Sequence, residues 1–176
     1  SGGSGAVRAI LRQLRESADF IVVDMSSGVD GVALTVFDMS SLIVLVVAPE
    51  IPAIKSARLF LEVATKLNYP MDKIALVVNG MDSSSRISVE QIEAAMIPTV
   101  ARIPLDKRVA VAAANQGVPF VVHDRSSPIS QAVMRLAEHV QGALIKETDD
   151  IEEEEEVAAS LGLSRLRLGR LFSSSG

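Results

Sequence analysis

Cysteine is absent from the sequence, which excludes disulfides, zinc knuckles, iron–sulfur clusters and cysteine nucleophiles together. Tryptophan is absent as well, and one tyrosine and five phenylalanines make up the whole aromatic complement. The core must therefore be aliphatic, and an aromatic stacking platform for single-stranded nucleic acid is excluded. No run of about 18 uncharged apolar residues occurs, and the N-terminus has no basic region followed by an apolar stretch, so the expected setting is soluble and cytoplasmic. A basic excess is lacking too. The net charge is −5, with seven acids and three arginines in residues 149–176 and fifteen acids and fourteen bases in residues 1–148. That near-neutral body argues against strong DNA binding, which needs clustered bases.

What is present is a large apolar share, 48% of 176 residues. This excludes disorder throughout and points to one domain, or one domain plus a tail, since domains cluster at roughly 100–150 residues. Ser1-Gly2-Gly3-Ser4-Gly5 reads as a linker or truncation scar. From Ala6 to Ala18, Val7, Ile10, Leu11 and Leu14 recur at helical spacing between Arg8, Arg12 and Arg15, which predicts an amphipathic helix. Phe20-Ile21-Val22-Val23 then ends at Asp24, a continuous apolar run expected of a strand buried on both faces.

The helix-then-strand pattern repeats. Gly31–Met39 predicts a helix, Leu42–Val47 a buried strand, Pro52–Leu67 a helix with proline in its first turn, and Ile74–Val78 a strand. Val89–Ala95, Lys107–Asn115 and Ser130–Ile145 follow as helices, with Thr99–Ile103 and the short Phe120–Val122 as strands. Alternating elements with continuous apolar strands imply an α/β fold, a mostly parallel sheet flanked by helices. After Lys146 the composition turns acidic, and five consecutive glutamates, Glu152–Glu156, predict a self-repelling extended linker over residues 147–156. Residues 157–176 mix leucines with Arg165, Arg167 and Arg170 as a short basic amphipathic tail.

In open α/β sheets ligands sit beyond the carboxyl ends of the strands. Those positions are Asp24, Pro49-Glu50, Asn79-Gly80 and Pro104-Leu105-Asp106. A carboxylate at Asp24 can hold hydrated magnesium through water, and Gly28 allows a backbone N–H to approach a phosphate. An ordinary Asp-Ser-Gly turn remains the other reading of this segment. Asn79-Gly80 likewise reads as a turn, and Pro104 as a helix-starting break.

Taken together, Asp19–Gly28 (DFIVVDMSSG), Leu42–Glu50 (LIVLVVAPE), Ile74–Gly80 (IALVVNG) and Ile103–Phe120 (IPLDKRVAVAAANQGVPF) resemble the second half of a MinD/ParA-type deviant-Walker P-loop ATPase. The CpaE/TadZ pilus-localisation branch is the nearest in character. The resemblance implies that Asp24 orders the magnesium shell and that Gly28 is the switch glycine facing the γ-phosphate. It implies that the Asn79 amide pairs with adenine, and that Pro104 and Asp106 belong to the loop closing over base and ribose. ATP and magnesium are the implied cofactors, a homodimer the implied assembly, and nucleotide-switched positioning of a pilus, division or partition machine the implied function. Its protein cargo stays unspecified.

The sequence departs from the family at three places, the first being Gly80, which follows Asn79 where a basic residue is usual. The switch reads Asp-Met-Ser-Ser-Gly without the usual prolines, which leaves that loop less rigid. No G-x-x-x-x-G-K-[ST] segment occurs, so nothing in these residues cradles phosphates and ATP hydrolysis is not expected of this chain alone. Either an N-terminal phosphate-loop part lies outside the sequence, or the chain is a non-catalytic localisation or scaffold module that keeps the fold. A flavodoxin-like domain, which would bind flavin, is a third reading. The tail resembles the membrane-binding end of MinD-like proteins, implying peripheral attachment to anionic membrane through residues 157–176; a partner-binding tail is the alternative. His123 and His139 are too far apart in sequence for a helical metal pair. Lys55 and Arg58 read as a solvated helix face.

Overall fold

A computed structural model describes residues 2–26 and 28–160. The chain divides into two compact units, Ser1–Leu136 and Ala137–Gly176. In the first, helix α1 (Gly2–Arg15) and helix α2 (Gly31–Met39) precede strand β1 (Ile43–Val47), helix α3 (Ile51–Lys66), strand β2 (Ile74–Met81) and helix α4 (Val89–Ala95). Strand β3 (Thr99–Pro104), helix α5 (Lys107–Gln116), the single turn α6 (Phe120–His123) and the start of helix α7 (Pro128–Ser160) follow. The strands form one parallel sheet in the order β1-β2-β3, so the α/β class with helices flanking a parallel sheet is the observed one.

The sheet is built around β2, whose residues Ile74–Val78 are all buried. Alternation across the strand sorts them onto two faces. Leu76 and Val78 pack with Val47, Ala57 of α3 and Ile92 of α4, while Val77 packs with Ile103, Val109 of α5, and Ile129 and Ala132 of α7. A continuous apolar sequence was needed because both faces are covered. Strand β1 differs: Ile43, Leu45 and Val47 pack beneath α3, but Val44 and Val46 are exposed. Its run LIVLVV, expected to be buried on both faces, is covered on one.

Local chemistry sets the helix ends. Asp30 caps α2, its Oδ1 accepting from the backbone nitrogens of Val32 (2.9 Å) and Ala33 (2.8 Å). Ser88 and Gln91 form a capping box on α4, and Gly117 ends α5 in the left-handed region at φ 64°. Helices α2 and α3 are tied by an edge-on contact of Phe37 and Phe60 at 5.5 Å, and α2 is also held by Tyr69, just past the end of α3, whose hydroxyl donates to Asp38. Burial, with the hydrogen bond to Asp38 and its charge, pushes the Tyr69 hydroxyl up to about 12.

Several expectations are corrected. Residues 2–5 are not linker but the first turn of α1: Ser4 Oγ donates to the Gly31 carbonyl at 3.0 Å, and a Cβ on Gly3 would come within 3.4 Å of Val32. Phe20–Val23 forms no strand, and Phe20, Val22 and Val23 are exposed. An apolar run becomes a strand only where an edge receives it, and β1 pairs with β2 alone among the described residues. Phe120–Val122 is helical because Pro119 starts a turn in which the Val122 and His123 amides both donate to its carbonyl. Buried Ser130 then holds that turn by donating to the Phe120 carbonyl.

The second unit holds the rest of α7, which runs helical to Ser160 through the acidic stretch expected to be extended. Glutamate is a good helix former, and continuing an existing helix avoids the cost of nucleating one. The tail read over residues 157–176 lies outside the described residues beyond Ser160. No helix among the described residues is long and apolar enough to cross a membrane.

Candidate functional site

Because all three strands are parallel, Val47, Met81 and Pro104 end on one side of the sheet. Three of the five residues singled out from the sequence stand at these ends, Asn79 and Pro104 in the last residues of β2 and β3 and Asp106 just beyond β3. Asn79 is exposed and stands opposite Ile103, while the next paired residues are Met81 and Pro104. Gly80 lies between as the extra residue of a bulge, at φ 85°, a conformation that side-chain-bearing residues rarely adopt. The bulge turns the strand end, and the Leu105 amide donates to the Met81 carbonyl at 2.8 Å, which ties the loop after β3 to the end of β2. Pro104 cannot donate to a ladder and closes the strand.

Asp106, two residues on, is the N-cap of α5: its Oδ1 accepts from the Val109 amide at 2.9 Å. The helix starts with Lys107 and Arg108, cations at the positive end of the dipole, and the Asp106 carboxylate offsets both. One of its oxygens is occupied by capping, and the other is what remains for a ligand.

Asp24 and Gly28 are not brought into this group by the sheet. They sit on the irregular stretch between α1 and α2, which contributes no strand. The Asp24 side chain is exposed and makes no hydrogen bond or ion pair among the described residues. Gly28 adopts φ 144°, with nothing within 4 Å of where a Cβ would be. The glycine there is required by the backbone and not by crowding. Among the described residues no group of three or more His, Asp or Glu gathers as a metal site, so a cation at Asp24 would rest on that carboxylate and water.

The structure also organises the residues that follow β2. After β2 the Asp82 carboxylate accepts from the Ser84 amide (2.9 Å), the Ser84 hydroxyl (2.8 Å) and the Ser85 hydroxyl (3.2 Å). These bonds, that from Ser84 above all, hold its carboxyl below the usual range. The sequence signal was an aspartate followed two residues later by serine, the pattern of an Asx turn. Beside the outer strand, Glu93 accepts from both the Thr99 amide (3.0 Å) and its hydroxyl, and Arg102 lies 3.5 Å from it.

The residues fit a nucleotide in part. An exposed amide at a bulged strand end beside a proline-closed loop suits a purine edge, and Gly28 leaves space for a close backbone approach. No residue described offers the lysine and glycine-rich turn that a triphosphate needs.

No family model matches the chain. It is 28% identical over 136 residues to an uncharacterised ATP-binding protein of Methanocaldococcus jannaschii, covering 76% of this chain and 50% of that protein. Over 142 residues it is 22% identical to the septum site-determining protein MinD of Synechocystis, covering 77% and 52%. Among solved structures, MinD of Pyrococcus horikoshii in complex with Mg-ADP matches with a TM-score of 0.65 at 26% identity, covering 76% of this chain and 55% of that one. A ParA family ATPase of Chlorobium tepidum matches at 0.70 and 23% identity, over 77% and 57%. The chain thus spans about half the length of the curated relatives it matches. The chain is thus similar, in sequence and in fold, to MinD and ParA ATPases.

Proposed function

We propose that this chain supplies the switch, magnesium-ordering and base-recognition elements of a nucleotide-switched ATPase of the MinD/ParA type, which positions a pilus, division or partition machine. The observation that supports it best is the junction of β2 and β3. Asn79 and the Pro104–Asp106 loop, chosen from sequence as base-recognising, converge at one end of the sheet through the Leu105–Met81 hydrogen bond. ATP with magnesium, when bound, supplies the phosphoanhydride whose cleavage resets such a switch.

The chain's own residues then have separate tasks. The Asn79 side chain offers one donor and one acceptor to an adenine edge. Pro104 fixes the path of the loop, and Asp106 offers its uncapped oxygen to a ribose hydroxyl. Asp24 orders water around magnesium, and Gly28 presents a backbone N–H towards phosphate. Residues 6–146 form the ATPase-like portion, residues 147–156 separate it from the end, and residues 157–176 attach the protein to anionic membrane at the inner face of the cell membrane. The assembled protein works as a homodimer in the cytoplasm, and the CpaE/TadZ branch accounts best for the loop sequences.

A second reading is favoured by two observations. Asp106 caps α5 and Phe20–Val23 stands outside the sheet, as a scaffold module that keeps the fold without hydrolysis would allow. Calorimetry with ATP and magnesium separates the readings. The expectation for this chain alone is no turnover and at most millimolar affinity, reduced further by Asn79→Ala. Micromolar binding by this chain would overturn the expectation that nothing in it cradles phosphates, and binding indifferent to Asn79→Ala would overturn the assignment of Asn79. In a protein that also carries a phosphate loop, Asp24→Ala abolishes magnesium-dependent turnover under the ATPase reading and changes nothing under the scaffold reading.

A further inference from the structure

The outer edge of the sheet carries a second surface, separate from the strand ends described above. Strand β3 pairs with β2 on one side only among the described residues, so no strand covers its other edge, and of its backbone groups the Thr99 amide is taken by Glu93. Along that edge runs a cleft of about 310 Å³ lined by Thr99, Val100, Ala101 and Arg102 of β3 and by Ala132 and Arg135 of α7. Four consecutive strand residues form one wall, so the cleft follows the backbone. Its lining contains two arginines and no acid.

The arginines stand on opposite faces of the sheet. Arg102 reaches Glu93 and Glu90 of α4, at 3.5 and 3.9 Å, on the face that Ile92 packs, and its charge is largely answered there. Arg135 projects from α7, which packs the other face through Ile129 and Ala132. It is exposed and has no hydrogen bond or ion pair among the described residues. A strand added to this edge would place alternate side chains on alternate faces. Those on the α7 face would meet an unanswered guanidinium, and those on the α4 face a neutralised one. We infer that the β3 edge and Arg135 form a docking site for an extended acidic segment of a partner protein, which adds to the sheet as a fourth strand with its carboxylates towards α7. Main-chain hydrogen bonds supply affinity, and Arg135 selects charge. The surface does not depend on the nucleotide reading, because no residue of the strand-end group lines it.

The test uses the full chain and a labelled synthetic peptide of alternating glutamate and valine, with lysine-valine and glutamine-valine peptides as comparisons. The glutamate peptide is expected to bind saturably and to weaken as salt rises. Binding should slow hydrogen exchange in Thr99–Arg102, and should fall at least tenfold in Arg135→Glu, an exposed helix position whose replacement leaves the thermal melt unchanged. In that variant the preference should turn towards the lysine peptide. Equal binding of all three peptides, protection elsewhere in the chain, no effect of Arg135→Glu, or no saturable binding at millimolar peptide would each overturn the proposal.

Discussion

Asp106 is where helix capping and ligand recognition meet, and its replacement separates them. The carboxylate accepts from the Val109 amide at 2.9 Å, so Asp106→Ala removes a cap bond whose loss typically costs about 1 kcal/mol. It also removes a negative charge from the start of a ten-residue helix that opens with Lys107 and Arg108, a further loss of roughly 0.3–1 kcal/mol. Asp106→Asn keeps the acceptor and loses only the second part. Alanine should therefore destabilise by about 1–2 kcal/mol and asparagine by less than about 1 kcal/mol. In urea, with a slope of roughly 1–3 kcal/mol per molar, the alanine midpoint should fall by about 0.3–2 M with the slope itself unchanged. The expected order is wild type, asparagine, alanine. If alanine left the midpoint unmoved, or asparagine cost as much as alanine, the cap would not be what Asp106 contributes to the fold. If Asn matched wild type in stability yet weakened ATP binding, the uncapped oxygen would be acting on ligand.

Three further outcomes follow from the packing. Tyr69 is the chain's single tyrosine, so tyrosinate absorbance reports it alone: ionisation should come near pH 12 in the native protein and near the ordinary value after denaturation. A raised folded value means its contribution is complete below the unfolded value and lost as pH rises towards 12, and Tyr69→Phe should remove that alkaline dependence. Ile92 is fully buried between α4 and the sheet, so Ile92→Ala should cost about 2–5 kcal/mol in denaturant unfolding; a loss below 1 kcal/mol on that scale would contradict the two-faced core. Exposure of Phe20, Val22, Val23, Val44 and Val46 predicts self-association in sedimentation velocity, relieved by Val22→Lys with Val46→Lys. A monodisperse, cooperatively melting wild-type monomer would show that these residues need no cover.

Composition and periodicity determined the class of fold and most of its elements. Gly31–Met39 and Val89–Ala95 are helices with the bounds read from sequence, because a cap, Asp30 or Ser88, stands just before each apolar pattern. Ile74–Val78 declared itself a central strand because both faces of β2 are covered and no polar position is tolerated there. Where a strand needed a neighbour, the sequence was silent. Phe20–Val23 has the composition of a strand and Val44 and Val46 that of a covered one, but pairing and cover are properties of what lies alongside, not of the residues themselves. Phe120–Val122 went the same way, its β-branched composition overridden by Pro119 and by the buried Ser130 hydroxyl. The site divides along the same line. Asn79, Gly80, Pro104 and Asp106 were legible as residue types at strand ends. Tertiary structure alone decided that the Leu105–Met81 bond joins two of those ends, that Asp106 spends one oxygen on Val109, and that Arg135 of α7 stands beside the open edge of β3. Each of these is a contact between residues distant in sequence or a choice among hydrogen-bond partners. No local pattern encodes them, because the fold selects which acceptor meets which donor.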